Sequence, residues 1–289
     1  MKLLESIQVP KLNEPLRLQD FVAGVFTSIP SKSGMKKAIK KGLVYINEKQ
    51  ASTADYVHGG ELLLLYQGDD SKPSVSIDMD VIIEDEHLAV LNKPAGLEVS
   101  GYKKYTLANA LPKLLTSSKE TDALLRPVPV HRLDYPTTGV LLAAKTSFAA
   151  MALGQQFEKR QVEKTYFAVN IGTMPKYGTI DLAIDGKEAL TKFQVIQSLS
   201  SDRFNQLNLV QLKPSTGRRH QLRKHLASIG NPILGDKEYG KEGLIHYGKG
   251  LYLHAFELCF QHPASQLLTS VRAPLPNKFI RLFPDAIVK

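Results

Sequence analysis

The sequence predicts an α+β protein in two parts. A small module of short helices and strands precedes a larger domain, built on a mainly antiparallel mixed sheet with flanking helices. Apolar residues gather in short runs bounded by turn residues, which is the pattern of strands. Segments with helical spacing lie among strand clusters and do not alternate strictly with them, which argues against a doubly wound parallel sheet. Between the two parts, Gln67 to Val75 is polar and rich in turn residues, with Gly68, Asp69, Asp70, Ser71, Pro73 and Ser74, and reads as a linker. The expected boundaries are residues 1–67, a linker over 68–78, and residues 79–289.

Leu16 to Thr27 has helical spacing, with Leu18, Phe21, Val22 and Val25 on one side. Ile29-Pro30-Ser31 breaks it, and Ser31 to Lys41 reads as a second short helix stopped by Gly42. Val44-Tyr45-Ile46 and Leu62 to Tyr66 are strands, with a turn at Asn47-Glu48-Lys49. Farther on, Val81-Ile82-Ile83 and Leu88 to Leu91 bracket the acidic turn Glu84 to His87 as a hairpin. Phe148 to Arg160 is a helix. Val140 to Ala144, Tyr166 to Ile171, Phe193 to Ile196, Gln206 to Leu212 and Leu251 to Leu258 are strands. Leu222, Leu226 and Ile229 fall on one helical stripe, so a helix begins near Gly217, buries that stripe and ends at Gly230.

The chain has 289 residues, 43% of them hydrophobic, which is ample for a buried core. Lys and Arg number 37 against 28 Asp and Glu, a formal net charge of +9. That excess suits a polyanionic partner, most often nucleic acid, and equally a basic soluble enzyme. A lone cysteine, Cys259, excludes an intramolecular disulfide and a Cys-rich zinc site; its setting suggests a buried strand thiol. At the N-terminus Glu5 interrupts before any signal-peptide apolar region forms, and no apolar run is long enough to span a bilayer. The expectation is a cytoplasmic protein, monomeric, with no membrane partner.

The most informative run is Pro129-Val130-His131-Arg132-Leu133-Asp134-Tyr135-Pro136-Thr137-Thr138-Gly139. Tyr135-Pro136 forces an extended or turn conformation and Gly139 lets the chain bend back, so Asp134 sits at the mouth of a strand. Read alone, Asp134 is a turn carboxylate paired with Arg132. Two basic clusters accompany it. Lys32, Lys36, Lys37, Lys40 and Lys41 surround the apolar Met35, Ala38 and Ile39, giving a positive helix face that suits phosphates or merely solvates the helix. Lys213 to His225 holds five basic residues, two histidines and no acid. Arg219, His220 and Arg223 fall off the buried stripe, and Arg218, Arg219 and the helix start make an anion site. Tyr166 opens a strand after Glu163-Lys164-Thr165; alone it reads as core. His254 and His262 lack acidic neighbours at ligand spacing and read as structural. No dinucleotide fingerprint, Walker loop, zincin motif or serine elbow is present. A carboxylate with arginines, a tyrosine and a polyanion-binding surface remains, which suits covalent attack by aspartate on a nucleotide.

These motifs together resemble the RluA family of RNA pseudouridine synthases. The resemblance rests on Lys93 to Leu97, His131 to Gly139, Lys164 to Val169, Pro214 to His225 with Gly230 to Asp236, and Leu253-His254-Ala255 with His262-Pro263, all in the family's order. It covers the chain from about Ile82 to the end. Residues 15–66 resemble, less specifically, the S4 RNA-binding domain. Two departures stand out: Thr138 replaces the usual serine before Gly139, and Arg219 stands where a small polar residue is usual, a difference that bears on which RNA is held.

The resemblance implies the pseudouridine synthase fold and an isomerisation that detaches uracil from ribose C1′, rotates it and rejoins it through C5. Such a reaction needs no redox cofactor, nucleotide or metal, so the implied cofactors are none. It implies structured RNA, ribosomal or transfer, as substrate. Asp134 becomes the nucleophile, attacking ribose or uracil, and Arg223 the cation that stabilises its charged form. Tyr166 stacks near the uracil and is the candidate acceptor of the C5 proton. Arg132 helps hold the target nucleotide out of its helix, and His131, Arg218, Arg219 and His220 join it in binding RNA. A non-catalytic RNA-binding or ribosome-assembly protein on the same fold is the competing reading. A base-modifying hydrolase would need a metal or activated-water site that the sequence does not offer.

Overall fold

The structure is a computed structural model, and it describes residues 3–22, 25–29, 31–68 and 72–286. In the N-terminal part, β1 (Leu3–Gln8), β2 (Leu16–Arg17), α1 (Leu18–Phe21), α2 (Lys32–Lys40), β3 (Val44–Ile46), β4 (Lys49–Gln50), β5 (Tyr56–Val57) and β6 (Leu62–Tyr66) follow one another. An antiparallel sheet runs β1-β6-β3-β4, and β2 pairs separately with β5. Helix α2 forms where expected. Ser31 caps it by accepting the Gly34 N–H at 3.0 Å, and Met35, Ala38 and Ile39 are buried against Val44, Leu63 and Leu65. Burial of Met35 and Ile39 stabilises by about 1.5–3 kcal/mol each. Repulsion between neighbouring lysines costs only about 0.2–0.5 kcal/mol per pair, so the apolar face decides the fold.

The helix expected over Leu16 to Thr27 is corrected to the four residues of α1. Leu16 and Arg17 instead pair with Val57 and Tyr56 as extended chain; Ala23 and Gly24 lie outside the described residues. Val22 and Phe26 still enter the core. The segment expected to be a linker is docked from Lys72 onward. The Lys72 and Pro73 carbonyls accept from Arg126 at 3.1 and 2.8 Å, and the Val75 N–H donates to the Asn109 carbonyl at 3.0 Å.

The larger part runs β7 (Val81–Glu84), β8 (Leu88–Lys93), α3 (Leu107–Leu114), β9 (Ala123–Pro129), β10 (Thr138–Thr146), α4 (Ser147–Glu158), β11 (Glu163–Ile171), β12 (Tyr177–Ile180), β13 (Thr191–Ser201), β14 (Asn205–Pro214), α5 (Gln221–Ser228), β15 (Leu253–Gln261), β16 (Leu268–Arg272) and α6 (Asn277–Leu282). Its ten-stranded sheet has the order β12-β13-β14-β11-β15-β10-β8-β7, with β16 on β15 and β9 on β10. Every pairing among the described strands is antiparallel except β10 with β15. The mainly antiparallel mixed sheet expected from the sequence is therefore present.

The parallel seam is short, Thr138 opposite His254 and Gly139 opposite Ala255. Gly139 has φ +113°, and a Cβ there would lie 2.0 Å from the Ala255 carbonyl oxygen, so only glycine lets the two strands meet. One rung then crosses the sheet: Lys93 opposite Gly139, Gly139 opposite Ala255, Ala255 opposite Tyr166, and Tyr166 opposite Leu212. Between the pairs Thr165–Glu257 and Tyr166–Ala255 the register skips Phe256, an irregularity on β15 that sets Ala255 opposite Tyr166.

Candidate active site

Asp134 lies in the loop between β9 and β10, directly before the seam. Main-chain contacts fix this loop. The Thr137 N–H donates to the Asp134 carbonyl at 3.0 Å, and the Gly96 N–H donates to the Tyr135 carbonyl at 2.9 Å. Beneath it the buried Lys93 ammonium donates to the carbonyls of Pro94, Thr137 and Tyr135 at 2.7, 2.9 and 3.3 Å. Burial pulls Lys93 down to about 8, against the opposing pull of the Asp134 charge. Next in the chain, Thr138 Oγ1 meets His254 Nδ1 at 2.8 Å. Burial, with Lys278 nearby, lowers His254 to about 4, so it is a neutral framework group.

The helix expected to start near Gly217 starts at Gln221. The Gln221 side-chain oxygen accepts from the Thr216 hydroxyl at 2.7 Å and the Arg218 N–H at 3.0 Å, folding residues 216–220 into a turn before the helix. His220 precedes α5 in the left-handed region with φ 55°. The buried face matches the expected stripe only in part. Leu222 and Leu226 are buried, Ile229 is 40% exposed, and Arg223, expected off the buried face, is itself buried.

Arg223 is held by the buried Asp236 through two hydrogen bonds, Nε to Oδ2 at 2.7 Å and Nη2 to Oδ1 at 2.8 Å. Nη2 also donates to Glu238 Oε2 at 3.1 Å, and the Tyr239 ring lies 4.8 Å from the guanidinium carbon. Burial opposes ionisation of Asp236, but its bonds and charge pairing with Arg223 and the N–H groups of Tyr239 and Glu238 outweigh this, and its carboxyl stays below the usual carboxylate range. The remaining nitrogen, Arg223 Nη1, faces Asp134 Oδ2 at 3.8 Å. His220 Nε2 faces the other oxygen, Oδ1, also at 3.8 Å, while its Nδ1 meets the Tyr239 hydroxyl at 2.9 Å.

A cavity of about 500 Å³ opens over Asp134; Arg132, Lys164, Tyr166, Arg218 and His220 are among its lining residues. Lys164 and Tyr166 share a face of β11 by strand alternation. Burial, and next the Asp134 charge, push the Tyr166 phenol well above its ordinary value, so the resting hydroxyl is neutral. Burial and Arg160 lower Lys164.

The structure thus brings Asp134, Tyr166, Arg223, Arg132, Arg218 and His220 to one place. His131 borders the cavity, but its ring is taken up by the framework. It accepts the Leu142 N–H at 3.0 Å, stacks on Phe157 at 4.8 Å, and is lowered by burial and Lys164 to about 4. Arg219 is exposed and is not among the lining residues. Lys32, Lys36, Lys37, Lys40 and Lys41 are exposed on the N-terminal part, and Lys32 is ion-paired with Asp20 at 2.5 Å. His262, read as structural, is paired with Asp85 at 2.7 Å. Sequence reasoning passed over Lys93, Lys164, Asp236 and Glu238. The signals were a lysine closing an apolar strand, a lysine two residues before Tyr166, and two acids in the glycine-bounded loop Gly235 to Gly240.

Comparison with known proteins bears on this site. The profile of the RNA pseudouridylate synthase family matches residues 87–228, the stretch that carries Asp134, Tyr166 and Arg223. A protein of Aquifex aeolicus described as an uncharacterized RNA pseudouridine synthase is 36% identical, with 91% of each chain covered. The ribosomal large subunit pseudouridine synthase D of Xylella fastidiosa is 34% identical over 87% of this chain and 83% of its own. Among solved structures, human RNA pseudouridylate synthase domain containing 4 aligns with a TM-score of 0.56 and 30% identity, covering 69% of this chain and 90% of that one. The chain belongs to the RNA pseudouridine synthase family.

Proposed function

We propose that Asp134 is the nucleophile of uridine isomerisation in ribosomal RNA, with Arg223 as its charge partner and Tyr166 as the ring against which the uracil rests. The observation that carries this is the placement of Asp134. One carboxylate oxygen faces a guanidinium and the other a histidine, both at 3.8 Å, with a nucleotide-sized cavity above. Covalent capture by the carboxylate holds one part of the cleaved nucleotide while the uracil turns from N1 to C5; rejoining through C5 releases the carboxylate, and the proton lost from C5 is balanced by one gained at N1. Arg223 cannot itself leave, because Asp236 and Glu238 hold two of its nitrogens. Arg132, exposed at the cavity mouth, supplies contacts that offset the few kcal/mol needed to extrude a base.

The neutral phenol of Tyr166 revises one role. A hydroxyl with a raised pKa donates a hydrogen bond and supplies a stacking face, and is a poor proton acceptor in the resting site. The similarity to ribosomal large subunit synthases supports large-subunit RNA as the substrate. The lysine face of α2 supports an S4-like, RNA-binding role for residues 1–67. We take the protein to act as a cytoplasmic monomer; no helix among the described residues is long and apolar enough to cross a membrane. A purely RNA-binding role leaves a buried guanidinium aimed at a half-buried carboxylate without use.

The test is pseudouridine mapping in large-subunit RNA treated with the protein and with Asp134→Asn. New pseudouridine with the first and none with the second is expected. Turnover by Asp134→Asn on the same RNA removes the assignment.

A further inference from the structure

We propose that Tyr102, Tyr105 and Tyr135, with Lys103 and Lys104, form a stacking platform for an unpaired stretch of the RNA strand beside the target nucleotide. Tyr102 is fully exposed, and Tyr105 and Tyr135 are 62% and 53% exposed. Single exposed aromatics are ordinary. Here three occur on neighbouring segments, and Tyr135 is the residue next to Asp134.

The loop that presents them is held at its base. The Leu107 N–H donates to the Glu98 carbonyl and the Ala108 N–H to the Val99 carbonyl, both at 2.9 Å. The Asn109 side chain reaches back from α3 to the carbonyls of Lys104 and Lys103 at 2.9 and 3.3 Å. Thr106 caps the same helix by accepting the Asn109 N–H at 3.2 Å. The backbone is therefore fixed while the aromatic rings face outward, a preorganised surface that loses little freedom on binding.

One contact joins the loop to the segment that carries Asp134, and a second lies within the loop. Lys103 Nζ lies 5.8 Å from the Tyr135 ring centre, and Lys104 Nζ 5.7 Å from the Tyr105 ring centre. Lys103 is paired with Glu98 at 2.6 Å, which partly balances its charge; Lys104 has no carboxylate partner among the described residues. Aromatic faces alternating with ammonium groups match the bases and phosphates of a single strand. A paired duplex hides its base faces and offers only backbone, so the rings select unpaired RNA. The platform reading rests on the adjacent cavity being the nucleotide site.

The chain contains no tryptophan, so Tyr102→Trp creates a single reporter. Adding an unstructured ribo-octamer should quench its fluorescence. Tyr102→Ala/Tyr105→Ala should bind the octamer about tenfold more weakly or worse, with binding to a blunt RNA duplex unchanged. Tyr177→Ala, an exposed tyrosine on β12, should leave both affinities as they are. Absence of quenching, or equal losses on octamer and duplex, overturns the platform. An active Asp134→Asn would instead remove the nucleophile assignment, and the tryptophan signal would still report on the loop.

Discussion

Arg223→Met tests the charge partner of Asp134 most directly. Two unit charges 3.8 Å apart attract by about 4 kcal/mol at an effective dielectric near 20. The Asp134 side chain is 25% exposed, and solvent screening brings this to roughly 2 kcal/mol. If that attraction is used in the transition state, turnover falls about 30-fold. The single variant has a second effect, because it leaves the buried Asp236 carboxylate without its cation. Breaking such a pair costs about 3–5 kcal/mol, enough to lower Tm by about 10 °C. Arg223→Met/Asp236→Asn separates the two: it removes the stranded charge and should recover most of the Tm while keeping the loss of turnover. The assay is single-turnover tritium release or mass mapping at saturating RNA, beside a thermal melt. A double variant that turns over like the wild type, with only affinity changed, would refute the argument and make Arg223 a structural group.

Lys93 supplies a pH prediction with two opposite signs. Its folded value of about 8 lies below the unfolded value of about 10.4, so between them the unfolded chain binds more protons and stability rises with pH relative to Lys93→Met. Turnover should fall over the same window, since the neutral amine has one N–H fewer for the carbonyls that fix the Asp134 loop; denaturation and rate profiles that move together would sink this. Tyr166→Phe should keep RNA affinity and retain measurable turnover, because the ring remains; complete inactivity would restore the hydroxyl as an obligatory proton carrier. Replacing Lys36, Lys37, Lys40 and Lys41 with Gln should flatten the salt dependence of RNA binding by about 0.7–0.9 in log–log slope per lost phosphate contact. An unchanged slope would make that helix face a solvated surface.

The sheet and the Asp134 loop were legible because their signals are local. Pro136 and Gly139 mark the loop, and apolar runs mark β8, β10, β11, β14 and β15. Elements set by distant partners were not. Leu16 and Arg17 have helical spacing, yet strand pairing with Tyr56 and Val57 overrides it. The burial of Arg223 follows from a carboxylate thirteen positions farther along, on a loop with no periodic pattern. Helical spacing assigns a face, but it cannot show that a charged face will be covered. Lys93 is hidden for another reason: its acceptors are main-chain carbonyls, which every residue type provides.

The rung from Lys93 through Gly139 and Ala255 to Tyr166 explains why the site needs those particular neighbours. Lys93 ties the loop to β8, and Gly139 lets β10 approach β15 closely enough to bring Asp134 over the seam. Ala255 presents a small side chain between the two strands, and the register shift at Phe256 of β15 sets it opposite Tyr166. A Cβ at position 139 would overlap the Ala255 carbonyl at 2.0 Å, which neither strand can relieve without breaking its pairing. The geometry between Asp134 and Tyr166 is thus carried by the main chain of the sheet. Arg223 is set by a separate side-chain network, so charge partner and scaffold can be perturbed independently.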